Sequence, residues 1–211
     1  MISQLLNPLF LVQTLGLLGV LIIIFAESGL FFGFFFPGDS LLFTAGFLAS
    51  QGYISLGWLV LGGIVAAILG DNVGYWFGSK VGPKIFSRED SWFFHKKHVL
   101  RTQDFYHHHG KKTIILARFV PIVRTFAPIL AGVGEMNYRT FFIYNLIGGV
   151  LWGGGMPLLG FILGATIPGV DHYLLPIVLI IIFISFLPAL YHVIIKKWKK
   201  LFSVSSRRQL I

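Results

Sequence analysis

The chain contains no cysteine and little charge: 12% of its 211 residues are Asp, Glu, Lys or Arg, while 55% are hydrophobic. The missing thiols exclude disulfides, thiolate nucleophiles and cysteine-based metal sites. Soluble domains carry about twice that charged fraction, so the shortage of charge argues against a soluble fold. The opening MISQLLNPLF has no Lys or Arg and no small-x-small cleavage site precedes Glu27, so a secretory signal is not expected. The first segment should instead stay in the protein as a helix, with Asn7-Pro8 near its start.

What is present is apolar length. The runs Met1–Ala26, Ser40–Gly70 and Thr140–Val170 hold no charged residue, and each exceeds the roughly 20 residues needed to cross a bilayer. The sequence is that of an integral, all-α, polytopic membrane protein. Its net charge of +9 is concentrated in two places. Residues 80–112 hold eight basic and three acidic side chains, and the tail after Ile195 holds six basic and none acidic. In a soluble protein such segments would suggest nucleic acid. Between membrane segments they follow the positive-inside rule, which puts both in the cytoplasm and excludes a nucleic-acid partner.

Three apolar segments, about 113–134, 140–167 and 173–195, separate those two cytoplasmic landmarks. Three full crossings would leave the basic tail outside, so one segment must enter and return on the same side. The segment 113–134 fits best, because it contains Pro121 and Pro128, and proline removes a backbone donor and breaks helices. The first half has matching anatomy. A helix over 1–27 precedes a hairpin over 28–50, with a turn at Pro37-Gly38 and Asp39-Ser40 as an N-cap, and a helix over 54–79 follows. Shifting the chain by 86 residues lays Ala45-Gly46 on Ala131-Gly132, Gly62-Gly63 on Gly148-Gly149, and Gly74 and Gly78 on Gly160 and Gly164. Chance is the bland alternative, since small residues line membrane helix contacts generally. Six coincidences at one ungapped offset favour a repeat. The expected fold is an inverted repeat of a re-entrant helical hairpin plus a transmembrane helix, with flanking transmembrane helices at 1–27 and 173–195 and both termini cytoplasmic.

Four charges fall at the hairpins: Glu27 and Asp39 on either limb of the first, Arg118 and Arg124 (RFVPIVR) in the second. Each costs about 2.5–3.5 kcal/mol at the centre of a membrane helix. Six residues turn a continuous helix by about 240°, so the arginines would diverge unless Pro121 breaks the helix between them. The bland reading is a buried ionic glue, but buried pairs stabilise poorly compared with apolar packing. A polar chamber near the midplane, where the two hairpins meet, accounts for them better. The arginines suit bidentate capture of phosphate or carboxylate, and the acids are counter-charges that exchange protons when substrate occupies the arginines.

For Asp71, nine residues before Lys80, an extension of the proton path and a place in a hydrated cytoplasmic mouth stand level. Asn145 and Trp152 are secondary candidates for which helix packing is the preferred reading. In residues 80–112, Trp92, Val99 and Tyr106, with Phe93 and Leu100, recur every seven positions, as in a helix lying on the membrane surface among anionic lipids. His95, His98 and His107–His109 carry no metal-site pattern, so neither metal nor cofactor is expected. KKWKK in the tail 196–211 reads as a snorkelling anchor.

Glu27 with FPGDSLL and AG, then RFVPIVR, AG, Asn145, Gly148, Trp152 and the paired GxxxG, together resemble the DedA family of bacterial inner-membrane proteins. Those are related to the eukaryotic VTT-domain (SNARE-associated Golgi) proteins. The resemblance covers Phe25 to Gly164. It implies two facing re-entrant hairpins and movement of lipid-linked phosphates, notably undecaprenyl phosphate, or phospholipids between leaflets of the inner membrane, coupled to the proton-motive force. On matching positions it implies that Glu27, Asp39, Arg118 and Arg124 are the essential charges. Many members carry Glu where this chain has Asp39, so reach at that position differs. A proton-coupled exporter of small cations or drugs is the alternative. A lipid phosphatase fits less well, because no His or Ser lies between Thr113 and Gly134 to serve as nucleophile or base. The expectation is therefore a carrier and not an enzyme.

Overall fold

Where water cannot satisfy backbone N–H and C=O groups, an apolar chain must bond them internally, and helices do so within one segment. The computed structural model describes residues 8–30, 37–86 and 113–166, with Pro176 and Ile180 as isolated positions. All regular structure among the described residues is helical. Helix α1 spans Pro8–Gly29, α2 Gly38–Ser50, α3 Leu56–Phe86, α4 Pro121–Val133, α5 Tyr138–Gly149 and α6 Gly155–Thr166. A π-helical turn, Val150–Gly154, joins the last two. Leu56–Val81 and Tyr138–Thr166 are long and apolar enough to cross a membrane.

The first helix is not continuous. Gly16 breaks it with φ 61° and ψ −163°, a region essentially restricted to glycine, leaving 17–29 as its longer arm. The helix expected over 54–79 runs on to Phe86, so the first part of the basic segment 80–112 continues α3. Lys80 sits 6.0 Å from the Trp76 ring. The expected cap at Asp39-Ser40 is corrected: α2 starts at Gly38, Pro37 holds the cap position, and Ser40 Oγ donates to Pro37 O at 3.0 Å. The Asp39 carboxylate has stronger, charged donors elsewhere. The expected surface helix with its histidines, the helix 173–195 apart from two positions, and the tail 196–211 lie outside the described residues.

Each short helix packs on the long helix of the other half: α2 on α6, and α4 on α3, while α1 lies against both α2 and α3. Glycines permit the contact. A Cβ on Gly46 would stand 2.0 Å from Pro157 O, and one on Gly160 2.0 Å from Phe43 O. On the other side a Cβ on Gly132 would stand 2.1 Å from Tyr75 O, and one on Gly78 2.0 Å from Ile129 O. Gly46 and Gly132, like Phe43 and Ile129, are 86 apart, but their partners Pro157 and Tyr75, and Gly160 and Gly78, are 82 apart. The contact residues of the two long helices are thus offset by about one helical turn from the 86-residue spacing of the short ones.

The distribution of polarity is inverted relative to a soluble protein. Leu18, Leu61, Leu159 and Ile162 are exposed, whereas Glu27, Asp71, Arg118, Arg124, Thr125 and Asn145 are buried. Apolar side chains face outward where lipid is the solvent, and charge turns inward.

Candidate functional site

The RFVPIVR stretch sits at a break. Arg118, Phe119 and Val120 donate their N–H groups to carbonyls three residues back, at 3.1–3.2 Å, a tightened turn that closes the helical segment 113–117. Val120 is extended (φ −122°, ψ 105°), as expected of a residue preceding proline. α4 then restarts at Pro121, whose missing N–H costs nothing in the first turn. Breaking the helix here lets both arginines turn inward, each 1% exposed.

Arg124, in the first turn of α4, reaches between α1 and α2. Its Nη2 donates to Glu27 Oε1 and its Nη1 to Asp39 Oδ1 at 2.7 Å. Trp152, on the π-helical turn, lays its ring 4.1 Å from the Arg124 guanidinium and donates Nε1–H to Asp39 Oδ1 at 2.7 Å. Glu27, near the end of α1, lies against the start of α2: a Cβ built on Gly38 would be 1.5 Å from its Oε2. The absent side chain at Gly38 is therefore what admits the carboxylate to the positive end of α2. Asp39 is 17% exposed, against 2% or less for the other charged side chains of the site.

Arg118 belongs to a second cluster. Its Nη2 donates both to Asp71 Oδ2, from α3, and to Asn145 Oδ1, from α5. Asn145 Nδ2 in turn donates to Ile68 O at 3.3 Å. The two clusters touch, because Arg124 Nη1 also donates to the Arg118 carbonyl at 3.4 Å. Helices α1 and α3 meet at Gly29 and Gly70: a Cβ on Gly29 would stand 2.7 Å from Gly70 O, and one on Gly70 2.6 Å from Phe25 O. That close approach sets the turns bearing Glu27 and Asp71 side by side.

The structure thus brings Glu27 and Asp39 to Arg124 and gives Arg118 a different acid. The expectation that both arginines share one carboxylate pair is corrected to two adjoining stations. A hydrated mouth for Asp71 is also excluded, since the residue is 1% exposed. Asn145 and Trp152 are more than packing residues, each bonding directly to a charged group. The sequence signal for Asp71 was its place in an otherwise uncharged membrane run, where an ionisable group is by default functional. Its partner could not be read from spacing, because 47 residues separate it from Arg118.

The ionic groups are not mutually satisfied. Among the described residues, Arg118 Nε and Nη1, Arg124 Nε and Asp71 Oδ1 are buried with no hydrogen-bond partner. Each such group costs about 1–3 kcal/mol, more when charged, and a concentration of them calls for an explanation. Among the described residues of the site, three carboxylates also stand against two guanidiniums.

The VTT domain profile matches residues 36–161. A membrane protein of Mycobacterium leprae is 44% identical over 191 residues, 88% of this chain and 85% of its own length. Protein DedA of Escherichia coli is 46% identical over 175 residues, 82% and 80% of the two chains. Inner membrane protein YqjA of Escherichia coli is 34% identical over 147 residues, 69% and 66%. No solved structure matches the chain.

Proposed function

The chain belongs to the VTT-domain family of DedA-type membrane proteins, and on that premise we propose that it carries a lipid-linked phosphate between leaflets. Undecaprenyl phosphate or a phospholipid headgroup is the substrate, and movement is coupled to the proton-motive force of a bacterial inner membrane. The observation that carries this reading is a pair of buried arginines with three guanidinium nitrogens, Arg118 Nε and Nη1 and Arg124 Nε, that have no partner among the described residues. Guanidinium donors in a low-dielectric site suit a phosphate. The hydrophobic chain stays in lipid, so only the polar head crosses the chamber.

In this mechanism the phosphate displaces carboxylates from the arginines. A carboxylate left in a buried site without its counter-ion is too costly to keep charged. Glu27 and Asp39 therefore take up protons as substrate binds and give them back as it leaves. Asp39, the most exposed of the charged groups, is the point of entry. The topology proposed with it is the inverted pair of re-entrant hairpins. At 13 residues each, α2 and α4 are about 20 Å long, too short for a core of about 30 Å. The basic segments hold both termini in the cytoplasm. The protein is a carrier and not a phosphatase in this reading. Ser28, the hydroxyl beside Glu27, has no hydrogen-bonded base among the described residues.

The excess of one carboxylate favours a second reading, a proton-coupled exporter of small cations. One experiment separates the two. Purified protein in liposomes is assayed for leaflet transfer of a fluorescent prenyl phosphate, and in parallel for cation flux against a pH gradient. Transfer of the prenyl phosphate is expected. Arg118→Lys and Arg124→Lys should each slow it by at least about ten-fold, since a point charge replaces a planar fork. Full transfer rates in both lysine variants, or cation flux alone, sink the carrier reading.

A further inference from the structure

The hydrogen bonds of Arg118 have a particular geometry. A guanidinium offers two bidentate forks, Nε with one Nη, and Nη1 with Nη2. Nη2 is the member common to both, because Nη1 lies on the side of the side-chain stem. In this structure Nη2 is the occupied nitrogen: its two hydrogens go to Asp71 Oδ2 and Asn145 Oδ1. Nε and Nη1 are buried and have no partner among the described residues. Each fork of Arg118 thus keeps one open donor while its shared donor is held by the protein. Asp71 engages through a single oxygen, and its Oδ1 is also buried and unpartnered. A pair built for stability would use both oxygens in a fork. This pair is monodentate and leaves both partners unsatisfied.

We infer that Asp71 is a built-in counter-anion, occupying the Arg118 nitrogen that an incoming phosphate needs, and so setting how tightly the arginine holds its ligand. The inference rests on the lipid-phosphate reading and adds a positioning residue to it. Asp71 acts through Arg118 and need not touch the ligand. Its carboxylate keeps the guanidinium charge compensated between substrates and competes with phosphate for Nη2. That competition makes binding weaker and release faster. Asn145 holds the second hydrogen of Nη2 without adding charge. It therefore fixes the orientation of the guanidinium, and its Nδ2 anchors it to α3 through the Ile68 carbonyl.

The two neighbours of Nη2 provide near-isosteric substitutions of opposite sign. Asp71→Asn removes the competing charge, and Asn145→Asp adds one. Full-length protein in detergent is titrated with radiolabelled geranylgeranyl monophosphate, with geranylgeraniol as the uncharged control. Leaflet transfer of the monophosphate is measured in liposomes alongside. Asp71→Asn is expected to bind about ten-fold tighter, with a lower half-saturating concentration and a lower maximal transfer rate as release becomes limiting. Asn145→Asp is expected to bind at least about ten-fold more weakly. A purely structural ion pair predicts weaker binding or lower thermal stability for Asp71→Asn and no gain in affinity. Unchanged or weaker binding by folded Asp71→Asn overturns the inference. If that variant does not fold, unchanged affinity in Asn145→Asp overturns it instead. Should wild-type protein bind the monophosphate no better than the alcohol, the lipid-phosphate reading fails. If wild type binds and the two variants do not move in opposite directions, only the role of Asp71 fails.

Discussion

At the scale of single residues, two glycines define the site as much as its charges do. A Cβ on Gly38 would fall 1.5 Å from Glu27 Oε2, and one on Gly148 would fall 2.7 Å from Arg118 Cδ. Gly38→Ala is therefore expected to push Glu27 away from Arg124 and abolish transfer. Gly148→Ala should displace Arg118 and cut transfer, with a stability loss of about 1–3 kcal/mol for the overpacking; thermal melts and the liposome assay read both. Normal transfer in either variant would contradict the placement of these side chains. Trp152→Phe keeps an aromatic face on Arg124 but removes the Nε1–H donated to Asp39. A hydrogen bond to a charged group contributes about 1.5–3 kcal/mol, so transfer should fall by about ten-fold or more while the fold survives. The sequence marked the charges, because ionisable residues in apolar runs stand out in one dimension. It did not reveal that Gly38 faces Glu27 or that Gly148 faces Arg118, since those pairs are made by packing between elements.

At the scale of elements, breaks matter more than helices. The extended Val120 ahead of Pro121 separates Arg118 from Arg124 and sends both to the interior. Pro121→Ala restores a backbone donor and removes the bias on Val120. Continuation of the helix through 118–124 would swing one arginine about 240° from the other. Loss of prenyl phosphate binding, with helical content kept or raised in circular dichroism, is the expected outcome; wild-type binding would show that the break is not needed. The π-helical turn does similar work on the other side, setting Trp152 against both Asp39 and Arg124. The proline break was legible because proline's backbone chemistry is local. The π-turn was not, because Val150–Gly154 carries no residue that enforces it, and its glycines pack it against α3: a Cβ on Gly153 would lie 3.0 Å from Gly63 O.

At the scale of the whole molecule, aromatic residues mark the span. Trp58 and Trp76, 69% and 61% exposed, stand at the two ends of the apolar part of α3. Eighteen residues of helix separate them, about 27 Å, which matches a hydrocarbon core of about 30 Å with its belts of tryptophan. Asp71, five residues inside Trp76, then lies about 7.5 Å below that belt. Because the chain has no cysteine, single introduced thiols report sidedness cleanly. Tyr53 follows α2 and is 73% exposed, and Arg139 is exposed on the first turn of α5. Under the proposed topology Tyr53→Cys is labelled from the periplasmic side and Arg139→Cys from the cytoplasmic side of intact cells. Labelling of both from one side would refute the opposed hairpins. Gly38, the obvious probe for a hairpin tip, is unsuitable, since any side chain there meets Glu27.

By itself, the order of residues determined the solvent and the style of fold. Long uncharged runs require lipid around them and helices within them, and a proline flanked by two arginines requires a break that carries charge inward. Those consequences follow from backbone hydrogen bonding and desolvation, which act locally along the chain. Only the tertiary structure decided which acid faces which arginine, that Asp71 and not Glu27 or Asp39 answers Arg118, and that the contact residues of the long helices lie 82 apart where those of the short helices lie 86 apart. Such choices depend on how closely glycine-lined helices approach, and that distance is set by the summed contacts of segments far apart in sequence.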